Sequence, residues 1–160
     1  MFKILVKTLT SNGFEHYEIS NFAKKGYRSI HNSNYWNNTH YLGIGPASHS
    51  FNGNSRQWNF SNVKKYIQLV NEHKTHYEIE DLTTDEKYND LIITRLRTKE
   101  GINLTELKNT FGEKKYNYCI NNARHWIDNN QMILNNDTLS LTNDGIFISD
   151  SIFADLIIAE

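Results

Sequence analysis

An α+β fold in two modules is what this sequence predicts, on three observations. Short period-two stretches and short helical stretches alternate through the first half of the 160 residues, whereas the second half carries three helical patterns, a hairpin and a closing helix. The halves also differ in charge. Residues 1–82 hold nine Lys/Arg and six Asp/Glu, and residues 83–160 hold eight and twelve, so the balance moves from +3 to −4 across a polar stretch near Tyr77–Thr84. Finally, Gly13–Ser50 gathers four of the seven histidines and four of the eight glycines with almost no apolar period, the composition of a ligand site carried on loops. The expected boundaries are 1–76 for the first module, 77–83 for a linker and 84–160 for the second module.

Along the chain, Ile4, Leu5 and Leu9 give Met1–Ser11 the pattern of the last turns of a helix with no N-terminal cap, and Gly13 supplies a left-handed position after it. Phe14–Ile19 alternates as a strand, with Phe14, His16 and Glu18 on one face and Glu15, Tyr17 and Ile19 on the other. Ser20-Asn21-Phe22-Ala23 then falls at the strand's C-terminal end, followed by a loop with Lys24, Lys25, Gly26 and Arg28; in a β/α architecture that end carries ligand groups. His31–Trp36 and Tyr41–Gly45 read as further short extended pieces. The second ends in Gly43-Ile44-Gly45-Pro46, where glycines let backbone approach something closely. Asn52-Gly53-Asn54 is a hairpin signal, with Ser55–Phe60 as the returning strand. Val63, Tyr66, Ile67 and Val70 follow helical spacing from Ser61 as N-cap to about His73, and His73–Tyr77 forms a polar connector.

In the second module Thr83 and Glu86 make a capping box for a helix whose inner face is Tyr88, Leu91, Ile92, Arg95 and Leu96, with Gly101 beyond it. Asn103 and Glu106 repeat that logic for a short helix bearing Leu104, Leu107 and Phe111 and ended by Gly112. A third helix follows with Tyr116, Cys119, Ile120, Ala123 and Ile127 inward. Met132–Leu134, the turn Asn135-Asn136-Asp137 and Thr138–Leu141 form a hairpin, and a closing helix from about Asn143 to Ala159 uses Ile148, Ile152, Phe153 and Leu156. Three helices and then a hairpin is the order of a winged helix–turn–helix module. The helix that would enter a groove sets Lys114, Lys115 and Arg124 against Glu113 and Asp128, and the wing tip holds Asp137 and no base. With that charge balance nucleic-acid binding is the lesser reading, since phosphate neutralisation carries such affinity.

The sequence has no run of eighteen apolar residues, which argues against a helical membrane span, and Met-Phe-Lys-Ile-Leu-Val-Lys is too short an apolar run for a signal peptide. A cytoplasmic protein is expected. The single cysteine, Cys119, sits on the apolar face of a helix as inert core and cannot build a disulfide or an iron–sulfur cluster within this chain.

Three strings in close order, YEISNFA at Tyr17–Ala23, HNSNYW at His31–Trp36 and YLGIGPASHS at Tyr41–Ser50, resemble the radical S-adenosylmethionine family of oxygen-independent coproporphyrinogen III oxidases, and more closely its heme-chaperone branch. The resemblance covers essentially the whole chain, because the family ends in a small helical domain of winged-helix-like shape in which Leu141-Thr142 and Gly145 recur. Family members begin with half of a β/α barrel that holds CxxxCxxC for a [4Fe–4S] cluster and a glycine-rich segment for S-adenosylmethionine. Neither motif occurs in these 160 residues. What the resemblance implies is therefore a C-terminal fragment: a remnant of a partial TIM-like β/α barrel over 1–76, then the winged-helix-like domain.

The family's HNxxYW falls on His31, Asn32, Tyr35 and Trp36, and its histidine is associated with heme in the chaperone branch, which makes His31 the candidate heme-iron ligand. GxGxxxxS falls on Gly43, Gly45 and Ser50, beside the S-adenosylmethionine site of the full barrel, with His49 as a neighbour. The chain departs from the pattern at Pro46-Ala47-Ser48 and at Lys25, where the family carries a further glycine and a proline. Spacing by itself favours blander roles: a loop histidine held by a backbone hydrogen bond for His31, core caps for Tyr35 and Trp36, a strand face for His16 and Glu18, and no metal spacing for His40 and His49.

The resemblance implies a parent that either decarboxylates coproporphyrinogen III by radical chemistry, with S-adenosylmethionine and a [4Fe–4S] cluster, or binds heme and hands it on without decarboxylation. A winged-helix regulator is the third reading. This chain alone is expected to supply no catalytic residue and to be inactive. Its expected partners are a tetrapyrrole, the N-terminal barrel half, and a second copy of itself covering an open strand edge.

Overall fold

The structure, a computed structural model, describes residues 1–159. Contacts divide it into two compact units, residues 1–37 with the chain from Tyr88 onward, and Asn38–Lys87. This division cuts the chain at other places than the expected 76/84 boundaries. The expected linker at 77–83 holds a strand.

The first unit begins with α1 (Phe2–Ser11), uncapped by any side chain, and Gly13 turns the chain at φ 76°. Then β1 (Phe14–Glu18) pairs antiparallel with β2 (Asn21–Lys24). The expected loop after β1 is thus the second strand of a hairpin. A bulge between His16 and Glu18 breaks the alternation that period two predicts, so Tyr17 and Glu18 are both buried. Backbone from Arg97 to Lys99 lies along the free edge of β1: Ile19 N–H donates to the Arg97 carbonyl at 3.0 Å and Lys99 N–H to the Tyr17 carbonyl at 3.0 Å. His31–Trp36, expected to be extended, is helical: α2 runs Ile30–Trp36, and Ser29 Oγ caps it by accepting from Asn32 N–H.

The chain from Thr83 onward follows the caps read from the sequence. For α4 (Thr84–Leu96), Thr83 and Glu86 form the reciprocal capping box, with Glu86 Oε2 accepting from Thr83 N–H at 2.7 Å. Asn103 caps α5 (Leu104–Asp128), which breaks at Gly112 with φ 83° into the two helices expected. A short strand β6 (Ile102–Asn103) adds itself to the hairpin β7 (Met132–Asn135) and β8 (Thr138–Leu141) in the order β6-β8-β7. The closing helix is shorter than expected, a 3-10 turn Gly145–Ile148 followed by α6 (Ser149–Leu156). Tyr88, Ile92, Leu107, Leu139, Ile152 and Leu156 form the centre of one buried core. Within it burial raises the Cys119 thiol to about 11, so the residue stays a neutral core thiol.

In the second unit, β3 (His49–Phe51), β4 (Ser55–Asn59) and β5 (Tyr77–Asp81) form an antiparallel sheet in that order. The Asn52-Gly53-Asn54 turn behaves as read, with Asn52 Oδ1 accepting from Asn54 and Ser55 N–H and Gly53 at φ 88°. The helix α3 (Val63–Asn71) is capped by Asn62, one residue after the expected Ser61. Every named ladder is antiparallel, and over residues 1–76 the strands fall into a two-stranded hairpin and part of a three-stranded sheet. No described helix is long and apolar enough to cross a membrane.

One ion cluster binds the first unit's β1, the loop after β2 and the chain beyond α4. Arg28 donates to both Glu15 oxygens, at 2.9 and 2.7 Å, and to Glu100 at 2.8 Å, while Lys99 Nζ reaches Glu15 at 3.0 Å. The Arg28 hydrogen bonds, followed by Lys99, hold the Glu15 carboxyl at about 2 against an ordinary 4.5. A depressed carboxylate contributes stability that is whole above the unfolded value and lost as pH falls through the folded one. The urea midpoint of the wild type is therefore expected to drop between about pH 4.5 and 2. In Glu15→Gln that part of the slope should be missing, and an unchanged acid slope would remove the cluster's assigned role.

Candidate functional site

The HNxxYW segment is a single seven-residue helix, α2, none of whose residues is fully buried. Residues four apart share a helix face, so the motif splits into two pairs. His31 and Tyr35 are exposed, their rings edge to face at 5.1 Å and 89°. Asn32 and Trp36 turn inward. Asn32 Nδ2 donates to Asn21 Oδ1 at 3.4 Å, and the Trp36 ring lies 5.0 Å from the Arg97 guanidinium. Together with Tyr17, Arg28 and Ser33, Trp36 lines a cleft of about 240 Å³.

Behind the inward pair stands an ion pair on a buried carboxylate that the sequence did not single out. The Glu18 side chain is 0% exposed, and its Oε1 accepts from Arg97 Nε at 2.9 Å and Nη2 at 2.8 Å. Its Oε2 accepts from Ser20 N–H at 2.9 Å and from Asn21 Nδ2. One buried carboxylate thus takes four N–H groups, the arrangement a desolvated charge needs. Glu18 and Asn21 lie inside the YEISNFA string, which was the available signal; Arg97 lies 79 residues away from Glu18 with no motif around it. His16, on the same strand, hydrogen-bonds the Ile19 carbonyl at 2.9 Å and stacks on Phe22 at 4.2 Å, so it is held as a packed ring.

Gly43, Gly45 and His49 lie in the second unit and are described there. A Cβ on Gly43 would stand 2.2 Å from the His49 carbonyl oxygen, so this glycine is required by its own chain's backbone. Gly45 has φ 103° with nothing within 4 Å of a built Cβ, and its carbonyl accepts from Asn59 Nδ2 at 2.9 Å. His49 is exposed, its ring tilted on Trp58 at 6.4 Å. Gly45 thus leaves open space beside its backbone, whereas Gly43 is packed against the backbone of β3.

Donor groups for metal are sparse. Among the described residues no three His, Cys, Asp or Glu side chains converge, and Cys119 is buried. This chain's residues do not fit a [4Fe–4S] cluster, which needs several thiolates. A single axial ligand is a different demand, and exposed His31 fits it.

No protein-family model matches the chain. The heme chaperone HemW of Bacillus subtilis (strain 168) is 36% identical over 115 residues, 71% of this chain and 29% of the relative. HemW of Lactococcus lactis subsp. lactis (strain IL1403) is 30% identical over 158 residues, 96% of this chain and 40% of the relative. The chain belongs to the radical S-adenosylmethionine family of HemW-like proteins. It spans well under half the length of these HemW relatives. Its fold is also that of the radical SAM enzyme coproporphyrinogen III oxidase (HemN) from Escherichia coli, with TM-score 0.76 and 14% identity over 98% of this chain and 40% of the enzyme.

Proposed function

We propose that this chain supplies the heme-binding face of a HemW-type heme chaperone, with His31 as axial iron ligand and Tyr35 beside it. The observation that carries the reading is the outward pair on α2: an imidazole and a phenol ring, exposed and in contact, on the face opposite Asn32 and Trp36. Heme iron takes a neutral imidazole nitrogen as an axial ligand. His31 offers that nitrogen to solvent, and the edge of Tyr35 limits how far the ring turns. A tetrapyrrole held through one exposed side chain is held in a way that suits transfer to an acceptor. The names of the two HemW relatives support this choice. Decarboxylation of coproporphyrinogen is supported by the HemN-like fold, and at 14% identity that likeness carries fold alone. In a full-length protein, Gly45 and His49 are the residues of this chain we assign to the S-adenosylmethionine side, with Gly43 as their support.

Titration of this chain with hemin tests the reading. The wild type is expected to show a red-shifted Soret band that saturates, and His31→Ala is expected to abolish the shift while the melting temperature stays within about 2 °C, as for a surface substitution. Free imidazole should restore part of the spectrum. Binding that is unchanged in His31→Ala would overturn the assignment.

A further inference from the structure

We infer that Arg97 is a positioning residue for His31, acting through Trp36; the inference rests on the heme-binding reading above for its purpose and on geometry for its content. A helix of seven residues does not hold itself in water. Apolar burial does not hold α2 either, since none of its residues is buried. What remains is polar. Asn32 donates to Asn21, which itself donates to Glu18, and Trp36 lies across the Arg97 guanidinium, which is fixed on Glu18 by two hydrogen bonds. Asn32 and Trp36 are one turn apart and both contacts end on the same buried carboxylate. The opposite side of that turn is His31 and Tyr35. Rotating α2 about its axis is therefore resisted at the Glu18–Arg97 pair, and the direction in which His31 presents its nitrogen is set there.

Arg97 suits this task better than lysine does. Its planar guanidinium brings Nε and Nη2 together onto Glu18 Oε1 and keeps a flat face for the indole, whereas an ammonium would keep the charge and lose the plane. The helix ends are tied separately, by Ser29 N–H on the Tyr17 hydroxyl at 3.3 Å and by Arg95 on Asn37 Oδ1 at 2.9 Å, so loss of the Arg97 face frees the helix without detaching it.

The test compares Arg97→Lys with wild type by amide hydrogen exchange and by hemin titration, and adds Glu18→Gln/Arg97→Met, which removes both charges of the pair together. In both variants we expect the α2 amides of residues 33–36 to lose protection by about tenfold or more while the amides of α4, α5 and β8 keep theirs, and hemin affinity to fall by about 10–100-fold, the range for partners that orient a metal ligand. A uniform loss of protection would reduce Arg97 to a fold-stabilising residue and overturn the inference. Unchanged α2 protection would overturn it as well, whatever hemin does. If His31→Ala binds hemin as wild type does, the functional reading fails on its own, and the exchange experiment still decides whether Arg97 orients the helix.

Discussion

Glu18→Ala is expected to destabilise the first unit by about 1–3 kcal/mol, the cost of leaving donors without their buried acceptor. The size follows from what is left behind. Arg97, 28% exposed, would keep its charge facing a cavity, and Ser20 N–H and Asn21 Nδ2 would each lose the acceptor they now share. The comparison with the surface pair Lys3–Asp144, both 73% exposed, sets the scale, since such pairs contribute roughly 0–1 kcal/mol. A double-mutant cycle with Arg97→Met separates the two effects: the double variant is expected to recover part of the loss, because it removes the half-buried charge that Glu18→Ala leaves without a partner. Chemical denaturation gives all four stabilities. A cost below about 1 kcal/mol for Glu18→Ala would mean that water reaches the pair, and the clamp on α2 would lose its basis.

The same residues show what was legible in the sequence and what was not. Local signals were reliable where a side chain reaches only three residues along the chain. The Thr83–Glu86 box, the Asn103 cap, the break at Gly112 and the Asn52-Gly53-Asn54 turn all hold. Periodicity failed where the buried face is not apolar. The inward face of α2 is Asn32, Ser33 and Trp36, which makes no hydrophobic stripe, so a helix read as an extended piece. Likewise β5 carries Glu78, Glu80 and Asp81 and is exposed along most of its length, so nothing in its pattern separates it from a connector. Strand β6, of two residues, is fixed by its partner β8 far along the chain. For the candidate site, the motif located His31, Asn32, Tyr35 and Trp36 but could not tell the exposed pair from the anchoring pair. That distinction depends on Arg97, and a contact between residues 36 and 97 has no local trace.

Gly43→Ala is expected to unfold the sheet of the second unit while leaving the first unit's core intact. The new methyl would stand 2.2 Å from the His49 carbonyl oxygen and 2.8 Å from its nitrogen, atoms of the β3 backbone that cannot rotate out of the way. Forcing extra volume into such a contact costs about 1–3 kcal/mol. In this unit that is decisive, because Leu82 is its one buried apolar side chain among the described residues, while Val63, Ile67 and Val70 of α3 are exposed. Ser50 Oγ, which accepts from Gly43 N–H at 2.9 Å, would be displaced with β3. Hydrogen exchange should show the amides of β3 and β4 unprotected and those of α4 and α5 unchanged. Gly45→Ala is the control: its methyl meets no atom within 4 Å, and only its φ of 103° resists the change. If Gly45→Ala proved the more damaging, Gly43 would lose its structural role and become again a candidate for close approach of a ligand. With the expected order, Gly43 holds β3 in place, and the space beside Gly45 is where this loop has room to meet another molecule.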